Sequence, residues 1–200
     1  MPIHPDRIAK PYGTDPRRRR SVEAALLKRV VDGDRRAFED LYRVYHPRLT
    51  RFLFNMTHRP PLVEEVLNDT MLTVWQRPER FNGTSRLSTW IFAIAYRKAL
   101  MALRRQDLAQ EDRDRERRPA EGPDPERRLG ERQILTALQA ALRDLSPDHR
   151  AVVDLTYFHD MGYREIAEIM DCPVDTVKTR IFHARRRLKT ILTGRLGDGL

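Results

Sequence analysis

The sequence is short of several things at once. It holds one cysteine, Cys172, in 200 residues, which excludes an internal disulfide framework and any metal cluster built on thiolates alone. Aromatic residues make up 8% and apolar residues 40%, enough for modest cores and too little for a large multilayer sheet. No apolar run approaches the roughly 20 residues that cross a bilayer, so no membrane insertion is expected. The start of the chain, Met1 to Arg20, is basic with no apolar stretch behind it and does not read as a secretory signal; a cytoplasmic location follows. Chemistry is equally sparse. His149, His159 and His183 show no ligand spacing, and glycine-rich phosphate loops, nucleophile elbows and Cys-x-x-Cys pairs are missing. No catalytic residue, metal site or cofactor is expected, and the chain does not read as an enzyme.

Charge is what the sequence has in quantity. Charged residues are 34% of the chain, with 38 Lys and Arg against 29 Asp and Glu and a net charge of +9. Such an excess predicts a polyanionic partner, nucleic acid ahead of membrane.

The apolar residues recur at helical spacing. Residues 1–20 carry Pro2, Pro5, Pro11, Gly13 and Pro16 before four arginines, so they read as a disordered arm, either a solvated tail or an aid to phosphate binding. From Ser21 the stripe Val22, Ala25, Leu26, Val30 predicts a helix ending at Gly33. Asp34 caps the next, with Phe38, Leu41, Tyr42, Tyr45, Leu49, Phe52, Leu53 and Met56 inward and a kink expected at Pro47. After Pro60-Pro61, Val63, Val66, Leu67, Thr70, Met71, Val74 and Trp75 form a third stripe. Trp90, Ile91, Ile94, Ala95, Ala99, Leu100 and Leu103 form a fourth, ending at Arg104-Arg105.

Residues 106–130 have almost nothing to bury and read as a linker. A second block, 131–192, follows, and 193–200 are a tail. This block has Ser146 as N-cap with Pro147 at the first helical position, then a short helix around Ile166 to Met170, the break Asp171-Cys172-Pro173, and a basic helix with Val174, Val177, Ile181, Ala184, Leu188 and Ile191 inward. No segment alternates with period two. The expected class is all-α: two small helical domains, 21–105 and 131–192, joined by a flexible charged linker.

Three patterns carry function. Tyr163 to Arg187 has the helix–break–helix rhythm of a helix-turn-helix, whose outward face offers Asp175, Thr176, Lys178, Thr179, Arg180, His183, Arg186 and Arg187 to phosphates and base edges. Asp171 takes the turn position where glycine is commonest, which Asp tolerates. Cys172 reads as a small turn residue or a redox switch. Glu64, Glu65, Asn68 and Asp69 lie opposite the third stripe, as a solvated face or a docking patch for a basic protein surface. The loop Phe81 to Trp90, followed by Tyr96, Arg97 and Lys98, sets small hydroxyl residues among aromatics and cations, which suits unstacked nucleotides, although aromatics at helical spacing also serve as core.

Together these residues resemble the bacterial RNA polymerase sigma factors, specifically the extracytoplasmic-function (ECF) group of the sigma-70 family. Ala37-Phe38-Glu39-Asp40-Leu41-Tyr42, Val63-Glu64-Glu65-Val66-Leu67-Asn68-Asp69 and Phe81-Asn82-Gly83-Thr84-Ser85 are similar to region 2. Leu145-Ser146-Pro147, Gly162-Tyr163-Arg164-Glu165-Ile166-Ala167 and Thr176-Val177-Lys178-Thr179-Arg180 are similar to region 4. The resemblance implies docking on core polymerase (beta and beta-prime subunits) through Glu64, Glu65, Asn68 and Asp69. It implies minus-ten contacts, on the melted strand, by Asn82, Gly83, Thr84, Ser85, Arg86, Ser88, Thr89, Trp90, Arg97 and Lys98, and reading of the minus-thirty-five duplex by the last helix. Asn68 stands where Gln is usual, Arg97 where Asn is common, and Ala93 where a basic residue is common. An anti-sigma factor is an implied partner, and no homo-oligomer is expected. The alternative is a free-standing helix-turn-helix regulator, whose first block would serve dimerisation or ligand sensing.

Overall fold

The computed structural model describes residues 16–114 and 141–197. Within the predicted arm, residues 1–15 lie outside the described residues, as do linker residues 115–130, residues 131–140 with Ile134, Leu135 and Leu138, and residues 198–200 of the tail. All regular structure among the described residues is helical.

Helix α1, Pro16–Val31, begins inside the segment expected to be an arm. It stops at Asp32-Gly33, where Gly33 takes a left-handed φ of +83° that favours glycine. Asp34 caps α2, Arg35–Thr57, by accepting from the backbone N–H of Arg36 at 2.9 Å and of Ala37 at 3.2 Å. The Arg29 guanidinium on the same carboxylate, and then these N–H bonds, hold the Asp34 pKa below its ordinary value. Helix α2 runs continuously across Pro47, where the sequence predicts a kink, with Val44, Tyr45 and Leu49 buried on either side of it in sequence. Helix α3, Pro60–Gln76, starts on its two prolines.

A single 3-10 turn, Pro78–Arg80, leads through a loop into α4, Leu87–Asp114. Helix α4 thus runs beyond the expected end at Arg105. Arg59 anchors the start of the added stretch by donating to Gln106 Oε1 at 3.0 Å and Asp107 Oδ1 at 2.7 Å.

In the second block Ser146 Oγ accepts from the His149 N–H at the start of α5, Pro147–Tyr157. Helix α6, Tyr163–Met170, and α7, Val174–Gly197, complete it. Asp171, between them, sits at φ +50°, the left-handed turn expected of it. Helix α7 continues through the segment expected to be a tail as far as Gly197.

Tyr45, Phe52, Phe92, Leu41, Leu49, Met56 and Ile91 fill the first block, and Leu155 and Ile166 are the largest fully buried side chains of the second. The two blocks share a face: α2 lies on α5 and α4 on α6, and the buried apolar residues of both form one continuous cluster. Their seam is unusually polar. Asn55 donates to Asp154 Oδ1 at 2.6 Å, and Arg150 donates to the Met56 carbonyl at 2.8 Å and the Leu145 carbonyl at 2.7 Å. The His159 ring stands edge-on to Phe92 and Phe52 with Nε2 3.0 Å from Asp154 Oδ2. The Arg51 guanidinium covers the Phe158 ring at 3.9 Å.

Candidate nucleic-acid interface

Helices α6 and α7 meet through Ile166, Ala167 and Met170 on one side and Val177, Ile181 and Ala184 on the other, all buried. This packing turns the opposite side of α7 to solvent with Asp175, Lys178, Thr179, His183, Arg186 and Arg187 exposed and Thr176 half-buried. Lys178 Nζ pairs with Asp175 at 2.9 Å, and the Thr179 hydroxyl is tied to the Asp175 carbonyl, so both ends of the first turn are ordered. Arg180 departs from this set. Its guanidinium points between the helices, 2.7 Å from Asp148 Oδ2 and 3.7 Å from Cys172 Sγ, because position 180 lies about 100° around the helix from 179. Burial pushes the Cys172 thiol above its ordinary value.

A cavity of about 450 Å³ opens beside this face, lined by Ser146, His149, His183, Arg186, Arg187 and Thr190. Burial, and then nearby Arg180, lower the His149 pKa below its ordinary value.

The 81–86 loop is locally braced. Asn82 Oδ1 accepts from the Thr84 N–H at 3.0 Å and the Thr84 hydroxyl at 2.7 Å, an Asx turn that needs Gly83 at φ +75°. Trp90 is half-buried against Phe81, ring centroids 5.6 Å apart. Thr89 is only 2% exposed; its hydroxyl donates to Glu165 Oε1 at 3.4 Å, and Arg86 Nη1 lies 2.9 Å from the same oxygen. Asn82, Gly83, Thr84, Arg86 and Arg97 are exposed, and Ser85 and Ser88 are partly so. Farther along α4 the Tyr96 hydroxyl donates to Asp148 Oδ1 at 2.7 Å. Burial, and then that hydrogen bond, push the phenol well above its ordinary value.

Glu64, Glu65, Asn68 and Asp69 are all exposed on α3. Arg105 pairs with Glu65, Lys98 Nζ lies 3.8 Å from Asp69, and the Tyr42 hydroxyl donates to Asn68 at 3.3 Å. The acidic face is therefore braced from α2 and α4, and Lys98 belongs to it as much as to the loop. No group of His, Cys, Asp and Glu suited to a metal ion occurs among the described residues.

Two features escape a reading of local pattern. Phe182 is 61% exposed on the outward face of α7. Its place three residues after Thr179 was the available signal, since no inward stripe accounts for it. Glu165 and Asp148 join the blocks, and nothing in their local sequence shows it.

Family models for Sigma-70 region 2 and Sigma-70 region 4 match residues 41–109 and 135–188. The ECF RNA polymerase sigma factor RpoE of Cereibacter sphaeroides is 31% identical over 167 residues, covering 82% of this chain and 92% of the relative. The ECF RNA polymerase sigma-E factor of Haemophilus influenzae is 28% identical over 178 residues, covering 84% and 94%. In three dimensions the chain is similar to the sigma factor RpoE solved in complex with the anti-sigma factor NepR from Bartonella quintana. The TM-score is 0.64 at 24% identity, over 78% of this chain and 96% of that one, which shows a shared fold. A free-standing helix-turn-helix regulator leaves the region 2 match unexplained. With both regions matched in order and full-length relatives at this identity, the chain belongs to the ECF RNA polymerase sigma factors of the sigma-70 family.

Proposed function

We propose that this sigma factor works through three surfaces while core RNA polymerase, through its beta and beta-prime subunits, supplies the catalysis. The α3 face of Glu64, Glu65, Asn68 and Asp69 docks on the core. The 82–86 loop, the first turn of α4 and the exposed side of that helix hold the melted minus-ten strand, where an extruded base gains stacking that offsets an unpairing cost of a few kcal/mol. The outward side of α7 enters the major groove at the minus-thirty-five element. The observation that carries this is the two-sidedness of α7: Val177, Ile181 and Ala184 are buried while Lys178, Thr179, Phe182, His183, Arg186 and Arg187 face solvent. Phe182 offers apolar contact to a thymine methyl, and Arg180 holds α7 to α5 through Asp148. Joining the two readers in one chain makes the second binding event intramolecular.

The Bartonella quintana structure holds its sigma factor with an anti-sigma factor, which supports a regulator of that class here. No described helix is long and apolar enough to cross a membrane, which fits action in the cytoplasm.

Core binding by the Glu65→Lys/Asp69→Lys variant, followed by co-purification with polymerase and run-off transcription, tests the docking face. Loss of both is expected. Glu64→Lys, at an exposed position, is expected to weaken binding as well and guards against misfolding of the double variant. Unchanged binding by both overturns the assignment.

A further inference from the structure

Helix α4 meets the second block through acids. Glu165 stands 2.9 Å from Arg86 Nη1 through Oε1 and 3.2 Å through Oε2, and Oε1 also accepts from the Thr89 hydroxyl. Asp148 accepts from Tyr96 with one oxygen and holds Arg180 of α7 with the other. The cleft around Glu165 is about 980 Å³, and Arg20, Arg164 and Lys178 also line it.

A guanidinium beside a hydroxyl, with further cations at the rim, is a donor set for a pair of anionic oxygens. A carboxylate and a phosphodiester both present such a pair. We propose that Glu165 is an internal stand-in for a DNA phosphate: it occupies the Arg86–Thr89 donors while the blocks are packed, so packing and single-strand binding exclude each other. The proposal rests on the reading of Arg86 and Thr89 as part of the minus-ten surface, and it assigns that surface a built-in competitor. Helix capping does not account for the arrangement. The cap uses Oε2 alone, which accepts from the Gly162 N–H at 3.1 Å, and a glutamine at this position caps equally well. Oε1 is directed across the seam. Asp148 adds a second acidic contact across the seam, because it accepts from Tyr96 on α4 while holding Arg180 within its own block. Opening the seam releases Tyr96 on the DNA-facing helix of the first block and leaves the Asp148–Arg180 pair in place.

The test uses the full chain and a fluorescein-labelled pool of single-stranded DNA of random sequence. Glu165→Gln keeps the cap and removes the charge. If the packed form accounts for roughly nine chains in ten, its release raises apparent affinity about tenfold, and small-angle scattering shows a larger radius of gyration. Glu168→Gln, an exposed acid lining the same cleft, makes the same change in net charge and is expected to leave affinity nearly unaltered. Arg86→Ala is expected to weaken binding. Equal gains from Glu165→Gln and Glu168→Gln overturn the proposal in favour of general electrostatics. No gain from Glu165→Gln, with a loss from Arg86→Ala, overturns the competitor and spares the minus-ten reading. No change in any variant overturns both.

Discussion

The interior of the first block and the seam between the blocks are both well packed, yet the seam adds to its apolar contacts a set of polar bonds that the interior does without. The interior is apolar: Leu41, Leu49, Phe52, Met56 and Ile91 are fully buried and lose their contacts outright if the block opens. The seam joins Asn55 to Asp154, Arg150 to the Met56 carbonyl, Tyr96 to Asp148 and Arg86 to Glu165. Every one of these groups finds water when the blocks part, so separation costs far less than unfolding. The first arrangement suits a module that must persist. The second suits a contact that is made and broken, as it must be if one chain spans two promoter elements.

The contrast is sharpest at Leu49. Leu49→Ala is expected to destabilise the first block by about 2–5 kcal/mol, read as an earlier midpoint in denaturant unfolding. A cost as small as that of a seam substitution breaks the comparison. Asp154→Ala is next. The Asp154 side chain is 2% exposed, and its removal leaves Asn55 and His159 without their partner, at about 1–3 kcal/mol. That loss should fall on the docking of the blocks: faster amide exchange along the seam and a larger radius of gyration, with the helices of each block intact.

The smallest effect concerns acidity beside the seam. His58 closes α2 in a left-handed conformation; burial, and then the nearby Arg150 and Arg143 cations, lower its pKa below the ordinary 6.5. The unfolded chain therefore binds the proton more readily than the folded one. Stability should be complete above the unfolded value of about 6.5 and fall as pH drops through it toward the folded value. His58→Asn keeps a residue that tolerates left-handed backbone. It should flatten the decline between neutral pH and about pH 5.5, the range in which an ordinary histidine gains its proton. Denaturant titrations at the two pH values measure it, and an unchanged slope assigns the decline elsewhere.

Much of the fold was legible because its signals are short-range. Asp34, Gly33 and Ser146-Pro147 mark helix ends through bonds to neighbours within a turn, and the stripes of α2, α3 and α7 announce their buried sides. Misreadings arose where a distant partner overruled local pattern. The apolar stripe of α4 stops at Leu103, yet the helix runs to Asp114 with Arg59, 47 and 48 positions away in sequence, gripping Gln106 and Asp107. At the candidate site, composition and spacing point to the basic side of α7 and the acidic side of α3. They cannot say that Arg180 turns inward to Asp148, that Thr89 is covered, or that Lys98 and Arg105 brace the acids.

The chain's own order thus determined which segments are helical, where they are capped, which side of each is apolar, and that basic and acidic surfaces are kept apart. Those properties depend on residues one to four positions away, where the helix repeat itself brings side chains together. The tertiary structure decided which charges are already engaged. Glu165 and Arg86 are 79 positions apart, and Tyr96 and Asp148 are 52. A pairing over such separations exists only once two packed blocks have chosen the face on which they meet.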